Sequence, residues 1–208
     1  MIIQLGAHRV FAVASVAAAV LHASAVLVAG FSTPDYSQSQ RAISDLGIRG
    51  QPYAFLVNYL GFAVPGVFIL LAARAANKMW TTSISPSIGL RCMACAGVFL
   101  VVAGFYPFPS WIHLTSALLV GISAAVSIIG FSVYVMKHKG SSVLAVSGFT
   151  IAILILIDAA TWVLAETRGI RIHAFMGFQQ RIASFSAFFW LSAFAISSAR
   201  QRKALKYP

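Results

Sequence analysis

The sequence predicts an all-α, polytopic membrane protein whose six transmembrane helices form one bundle. Hydrophobic residues make up 60% of its 208 residues and charged residues only 9%, whereas about 25% of a soluble domain is charged. The mean hydropathy is +0.87. Long apolar stretches recur from one end of the chain to the other. We therefore expect residues 1–208 to form a single transmembrane helical domain.

Six apolar segments are each long enough to cross the hydrocarbon layer, roughly 30 Å thick, as a helix of about 20 residues. They are too long and too uniformly apolar for the alternating strands of a membrane barrel. In chain order, the predicted spans are residues 9–31, 53–74, 88–106, 111–136, 143–164 and 179–199.

The first three spans have few interruptions in their apolar pattern. The small residues 23–25 resemble a signal-peptide cleavage site, but the apolar run continues far enough to span, so we expect an uncleaved anchor. Pro65 is the one candidate kink in the second span. The third span contains Cys92 and Cys95, which we interpret as small buried side chains rather than a redox pair.

The last three spans carry polar groups at characteristic positions. Trp111 begins the fourth span, as is typical of the interfacial aromatic belt, and His113 follows it. Asp158 interrupts the fifth span, and Arg181 lies at the start of the sixth. Residues 200–208 then form a basic tail.

Basic residues are distributed unequally between the two ends of the predicted bundle. Ten of the 15 Lys and Arg residues fall on the side that also holds both termini. By the positive-inside rule we expect this side to be cytoplasmic. We also expect a multi-pass protein of the cell membrane. The basic tail suits contact with the anionic lipids of that leaflet. Because the bases lie beside apolar runs, the net charge of +11 indicates topology rather than nucleic-acid binding.

The chain has only four acidic residues, and the predicted topology places all of them toward the outer face: Asp35, Asp45, Asp158 and Glu166. A carboxyl group inside a span is costly and usually faces the bundle interior, so Asp158 is a candidate functional group. We interpret Asp45, His113 and Asp158 as candidate catalytic residues that exchange protons. Alternatively, His113 is an interfacial histidine bonded to a loop carbonyl. Asp35 and Glu166 are interpreted as solvated loop residues.

The outer loop, residues 32–52, contains the turn-forming string 43–47. We expect Ser44 or Asp45 to cap a short helical turn that Gly47 ends. Alternatively, Asp45 only pairs with a neighbouring arginine of the loop.

Five polar or aromatic residues near this face are candidate substrate contacts: Ser44, Asn58, Trp162, Gln180 and Arg181. Arg181 lies near the positive end of its helix dipole, which is unfavourable for a cation, so we expect it to contact an anion. That anion is an acidic side chain, or a phosphate or carboxylate of a ligand. The alternative for Asn58 is a plain interhelical hydrogen bond. His22, near the middle of the first span, is expected to pair with Asp158 unless Arg181 does so.

These residues also resemble the pattern of a known family. The matching positions are Tyr36, Ser37, 43–47, Pro52, Asn58, Gly104, Phe105, Pro107, His113, Gly177, Gln180, Arg181 and Trp190. In this order and spacing they resemble the DUF998 family of small multi-spanning membrane proteins, whose function is largely unassigned. That family is in turn distantly similar to the Frag1/DRAM group, some of whose members are linked to lipid remodelling. The resemblance implies a six-helix layout and marks Ser44, Asp45, Asn58, His113 and Arg181.

The polar groups at one end of an otherwise apolar bundle predict a polar cavity on the outer side. They favour an enzyme that acts there by acid–base chemistry on a lipid or isoprenoid-like molecule. A small proton-coupled transporter or a lipid-binding protein is one alternative. A structural or accessory membrane subunit is another. We expect a hydrophobic small-molecule substrate and membrane lipids as partners. No metal ligand spacing or cofactor motif is present, so we expect neither.

Overall fold

The computed structural model describes residues 2–80, 84–138, 140–168 and 175–204, with the side chains of residues 2–5, 84–85, 166, 168 and 201–204 excepted. All regular structure in these residues is helical, as predicted. The α-helices are α1 (Ile2–Ser32), α2 (Val64–Asn77), α3 (Ile84–Phe105), α4 (Trp111–Lys137), α5 (Ser142–Arg168) and α6 (Met176–Ala204). A 3-10 turn covers Ile43–Gly47, and a π-helical stretch, Leu56–Ala63, leads directly into α2.

Six spans are confirmed within the described residues. The helical segments long and apolar enough to cross a membrane are Gly6–Ser32, Leu56–Asn77, Pro86–Phe105, Trp111–Lys137, Ser142–Ala165 and Met176–Arg200. They agree with the predicted spans to within a few residues at most ends. The chain is therefore an integral membrane protein. The cytoplasmic placement of both termini stays a prediction.

The six helices form a closed ring. Each helix packs on the next one in the chain, and α6 returns to pack on α1. Glycine permits the closest approach between α2 and α3, because a Cβ on Gly66 would lie 2.7 Å from the carbonyl oxygen of Gly97. This ring leaves interior space that side chains must fill or leave open.

Aromatic side chains fill the half of the ring nearer the predicted cytoplasmic end. Phe131 and Phe194 stack with ring centroids 4.7 Å apart, Trp190 stacks on Phe194 at 5.5 Å, and Phe11 meets Trp80 edge-on at 5.8 Å. Such pairs add specific geometry to a large burial of apolar surface. Open space is consequently left toward the other half of the bundle.

The opposite end is covered by the loop that joins α1 to the π-helical stretch, residues 33–53, here called the cap loop. The predicted helical turn is present and ends at Gly47, but Ala42 occupies the N-cap position without a side-chain cap. The expectation that Ser44 or Asp45 caps the turn is wrong, because both lie inside it. Ile43, Ser44 and Leu46 are buried, so the cap loop folds inward over the helix ring.

Candidate functional site

A cavity of about 180 Å³ lies inside the helix ring beneath the cap loop. All six spans and the 3-10 turn contribute to its walls, which are mostly aliphatic and aromatic. A mostly apolar cavity with a few convergent polar groups is the usual form of a small-molecule site. The polar side chains that line it are His22, Ser44, His113, Ser127, Asp158, Gln180 and Ser184.

His113, on the first turn of α4, is held by the end of α3. Its side chain is 3% exposed. Its Nδ1 lies 2.9 Å from the carbonyl oxygen of Ala103 and 3.0 Å from that of Tyr106. The Ala103 carbonyl would normally accept from the residue four positions later, which is Pro107 and has no N–H. His113 therefore satisfies a carbonyl that proline leaves unpaired.

His22, on α1, repeats this arrangement on the second span. Its side chain is 2% exposed, and its Nδ1 lies 2.8 Å from the carbonyl oxygen of Gly61. Four residues after Gly61 stands Pro65, which cannot donate to that carbonyl. The imidazole also stacks on the ring of Phe188, with centroids 4.6 Å apart.

Both contacts fix the tautomer of the imidazole. A carbonyl oxygen only accepts, so Nδ1 of each histidine carries the proton and Nε2 of the neutral ring keeps a lone pair. Neither Nε2 atom has a hydrogen-bond partner among the described residues. Both imidazoles lie near the ring of Phe62, at centroid distances of 6.1 Å for His22 and 6.0 Å for His113. Two acceptors on different helices thus share one stretch of the cavity.

Asp158 lines the same cavity from α5 and is half-buried. It makes no hydrogen bond or ion pair with any residue that the structure describes. Neither His22 nor Arg181 forms the expected pair with Asp158. His22 contacts Gly61 instead, and the guanidinium of Arg181 contacts the cap loop. The carboxyl group of Asp158 is therefore available to an occupant of the cavity.

Ser44 and Gln180 complete the cavity wall beneath the cap loop. Ser44 is 5% exposed and belongs to the 3-10 turn. Gln180, on α6, accepts a hydrogen bond at Oε1 from the backbone N–H of Ile43 at 2.6 Å. This bond ties the turn to α6 and places Ser44 over the interior.

Arg181 lies outside the cavity lining, although it was expected to contact substrate. It is 7% exposed and donates to Gln38 Oε1 at 2.9 Å, to the Arg41 carbonyl at 3.0 Å, to the Gly177 carbonyl at 2.8 Å and to Tyr36 Oη at 2.6 Å. All four acceptors are neutral. The guanidinium therefore joins the cap loop to α6 without an acidic partner in the described part of the chain.

Tyr36 connects this guanidinium to the backbone of the cap loop. Its hydroxyl accepts from Arg181 and donates to the carbonyl of Ala42 at 2.6 Å. Burial raises the pKa of Tyr36 above its usual value of 10.0, and the hydrogen bond and charge of Arg181 act in the opposite direction. The hydroxyl consequently stays protonated and keeps both bonds at neutral pH.

Asp45, Asn58 and Trp162 also lie outside the cavity lining. The alternative interpretation of Asp45 fits its contacts, because one carboxylate oxygen lies 3.5 Å from Nε of Arg41. Asn58 donates from Nδ2 to the carbonyl of Gly47 at 2.7 Å, so it ties the cap loop to the second span. The indole N–H of Trp162 is buried and has no partner among the described residues.

Other expectations concern residues that the structure describes in part or not at all. The side chain of Glu166, and all of Arg171 and His173 in the loop after α5, lie outside the described residues. Within the described residues, no three His, Cys, Asp or Glu side chains are grouped closely enough to hold a metal ion.

The sequence reasoning missed Tyr36 and Gln38 as partners of Arg181, and it missed the anchoring of His22 by the Gly61 carbonyl. The alternative interpretation of His113, a histidine bonded to a loop carbonyl, fits its contacts. One signal was available for the histidines. A proline inside or just after a span leaves the carbonyl four residues earlier without its helical donor, and a histidine on a neighbouring span is well suited to replace it. Nothing comparable in the sequence identifies Gln38.

Comparison with known proteins gives one match. The sequence model of the DUF998 family, described as a protein of unknown function, matches residues 16–197. No curated protein and no solved structure matches the chain.

Proposed function

The chain belongs to the DUF998 family, and we propose that it is a membrane enzyme that performs acid–base chemistry on a hydrophobic, lipid- or isoprenoid-like molecule bound in the cavity. The apolar walls suit a hydrocarbon chain or ring system. Proton transfer in such a site needs a positioned base and a positioned acid within reach of the same substrate.

One observation carries the proposal: the imidazole of His113 lines the cavity, is oriented by carbonyls at Nδ1, and has no partner at Nε2 among the described residues. Its contacts with the Ala103 and Tyr106 carbonyls, at 2.9 and 3.0 Å, hold the ring in place without occupying Nε2. A carbonyl in this position also stabilises the additional proton that Nε2 acquires. His113 is therefore proposed as the general base.

Asp158 is proposed as the second proton-transfer group. It lines the same cavity and has no described partner that would occupy its oxygens. Ser44 and Gln180 are proposed to contact the polar part of the substrate, because both lie where the cap loop closes the cavity. Asp45, Asn58 and Arg181 are proposed to act on the substrate only indirectly, by holding the cap loop in place.

The test is turnover by the purified protein in lipid nanodiscs, using a total membrane lipid extract and mass spectrometry of the products. His113→Asn is the informative variant, because the Asn amide can still donate to the carbonyls while the base is removed. General acid–base catalysis contributes about 10²- to 10⁴-fold, so His113→Asn and Asp158→Asn should each lower the rate by about that factor.

The matched controls are His138→Asn and Asp35→Asn. His138 also directs Nδ1 at a helical carbonyl, that of Tyr134 at 2.9 Å, but it is exposed. Asp35 is an exposed acid of the cap loop. Both controls should keep wild-type turnover. Unchanged turnover in His113→Asn and Asp158→Asn, at wild-type thermal stability, excludes the proposed chemistry.

A second candidate, a proton-coupled carrier, is favoured by one specific observation. The second span begins with eight π-helical residues, Leu56–Ala63, directly before Pro65, and interruptions of this kind often mark moving parts of membrane helices. Uptake into proteoliposomes that depends on a proton gradient and is lost in Asp158→Asn would support the carrier. Turnover without transport would exclude it.

A further inference from the structure

The hydrogen-bond donors and acceptors that line the cavity limit which molecules can bind in it. None of the lining residues is Lys or Arg in the part of the chain that the structure describes. The polar lining groups without a described partner include acceptors on His22, His113 and Asp158 and neutral donors on Ser44, Ser127 and Gln180. An occupant is recognised only if its own polar group matches them.

His22 sets the strongest constraint. Its Nε2 is completely buried and has no hydrogen-bond partner among the described residues. An unpaired buried acceptor is unfavourable by about 1–3 kcal/mol, so an occupant whose donor reaches Nε2 is favoured. Because Nδ1 already donates to the Gly61 carbonyl at 2.8 Å, the neutral imidazole offers no further proton.

His113 imposes the same constraint from α4. Its Nδ1 proton is shared by two carbonyls, so Nε2 again accepts. Both imidazoles lie near the ring of Phe62, with centroids 6.1 and 6.0 Å from it. A hydroxyl placed near Phe62 therefore has an imidazole acceptor in its neighbourhood.

An anionic head group meets no Lys or Arg in the cavity lining that the structure describes. Arg181, the expected anchor for a phosphate or carboxylate, directs its donors at Gln38, Tyr36, the Arg41 carbonyl and the Gly177 carbonyl instead. Burying an unpaired anion is strongly unfavourable. The nearby carboxyl group of Asp158 offers it no favourable charge.

We infer that the occupant is a neutral lipid alcohol, an apolar chain that ends in a hydroxyl group which donates to Nε2 of His22 or His113. The inference rests on the proposed function, since it concerns the same cavity and names the substrate class. The chemistry is shared by straight-chain and isoprenoid alcohols.

The test is direct binding to the full chain in nanodiscs, measured by competition against a diazirine-bearing long-chain alcohol. The competitors are one straight-chain series with an alcohol, a carboxylate or a phosphate head group, and one isoprenoid alcohol of similar length. The alcohols should bind at least about 10-fold more tightly than the carboxylate and the phosphate, because only the anions need a cation that the cavity lacks. The alcohol that competes more strongly, straight-chain or isoprenoid, identifies the type of hydrocarbon that the cavity prefers.

Variants then test the histidines individually. His22→Asn keeps a donor for the Gly61 carbonyl but removes the Nε2 acceptor, and His113→Asn does the same on α4. Each should weaken alcohol binding by about 2- to 10-fold, as the loss of one neutral hydrogen bond implies, whereas His138→Asn should have no effect. If a variant does not fold, the comparison of head groups on the wild-type protein still tests the inference.

Equal or tighter binding of the carboxylate or phosphate overturns the inference, and so does unchanged alcohol affinity in both Asn variants. Turnover in the same samples separates this result from the proposed function. Alcohol binding without turnover supports the inferred occupant and contradicts the proposed enzymatic function. Turnover of an anionic lipid contradicts the inferred occupant and supports the proposed enzymatic function.

Discussion

Replacing Arg181 with methionine removes the guanidinium that joins the cap loop to α6 while keeping a side chain of similar length. Four hydrogen bonds to neutral acceptors are lost. At a net contribution of about 1 kcal/mol each, they sum to about 4 kcal/mol. Removal of a buried charge also removes its desolvation cost, which offsets part of that loss. We expect the free energy of unfolding to fall by about 2–3 kcal/mol.

Arg41→Met is the matched control, because Arg41 contacts the same Tyr36 ring. The guanidinium carbons of Arg41 and Arg181 lie 5.1 and 5.4 Å from its centroid. The Arg41 side chain is 40% exposed, and its ion pair with Asp45, at 3.5 Å, is a partly exposed contact. Exposed pairs contribute about 0–1 kcal/mol, so this variant should be destabilised by less than about 1 kcal/mol.

The assay is reversible unfolding in mixed micelles, followed by tryptophan fluorescence, together with limited proteolysis of the cap loop. Arg181→Met should unfold earlier and expose the cap loop to protease, and Arg41→Met should do neither. Equal unfolding free energies for the two variants would refute the assignment of Arg181 as the side chain that holds the cap loop.

Three further perturbations test individual contacts. His22→Phe should lower the unfolding free energy by about 1–2 kcal/mol. The loss should be smaller in a Pro65→Ala background, because the new backbone N–H of residue 65 can donate to the Gly61 carbonyl. A double-mutant cycle that shows no coupling between the two positions contradicts this. Tyr36 contributes stability that is fully present below the unfolded pKa near 10.0 and is lost as pH rises through the raised folded pKa. The stability difference between wild type and Tyr36→Phe should therefore shrink in alkaline titrations, and a difference that is constant above pH 10 contradicts the raised pKa. Asn58→Ala should lower the unfolding free energy by about 1–2 kcal/mol through the unpaired carbonyl of Gly47, and an unchanged unfolding curve argues against that bond.

The spans were predictable from the sequence because hydrocarbon thickness sets a minimum apolar length, and every predicted span meets it. The packing of α6 on α1 was not predictable, because apolar residues face both the lipid and the bundle interior. The helices therefore have no one-sided apolar pattern that would identify their neighbours. A polar cavity near the outer face was predicted from the clustered polar residues, but its mostly apolar walls follow from the helix packing.

The direction of side chains explains the mixed placement of the candidate residues. Ser44 and Asp45 are neighbours on a 3-10 turn, where successive residues point about 120° apart, so one faces the cavity and the other faces the surface. Gln180 and Arg181 are likewise neighbours on α6, and only Gln180 lines the cavity. Composition and spacing select such pairs, but the packing of the cap loop decides which member faces inward.

The most direct measurement is the mass-spectrometric mapping of residues labelled by a long-chain alcohol that carries a diazirine along its chain. If the cavity holds a lipid alcohol, adducts should concentrate on cavity-lining residues such as Met93 and Leu100, and excess unlabelled alcohol should suppress them. Adducts spread evenly over bilayer-facing residues such as Val13 and Ile153, without suppression by competitor, would contradict occupation of the cavity.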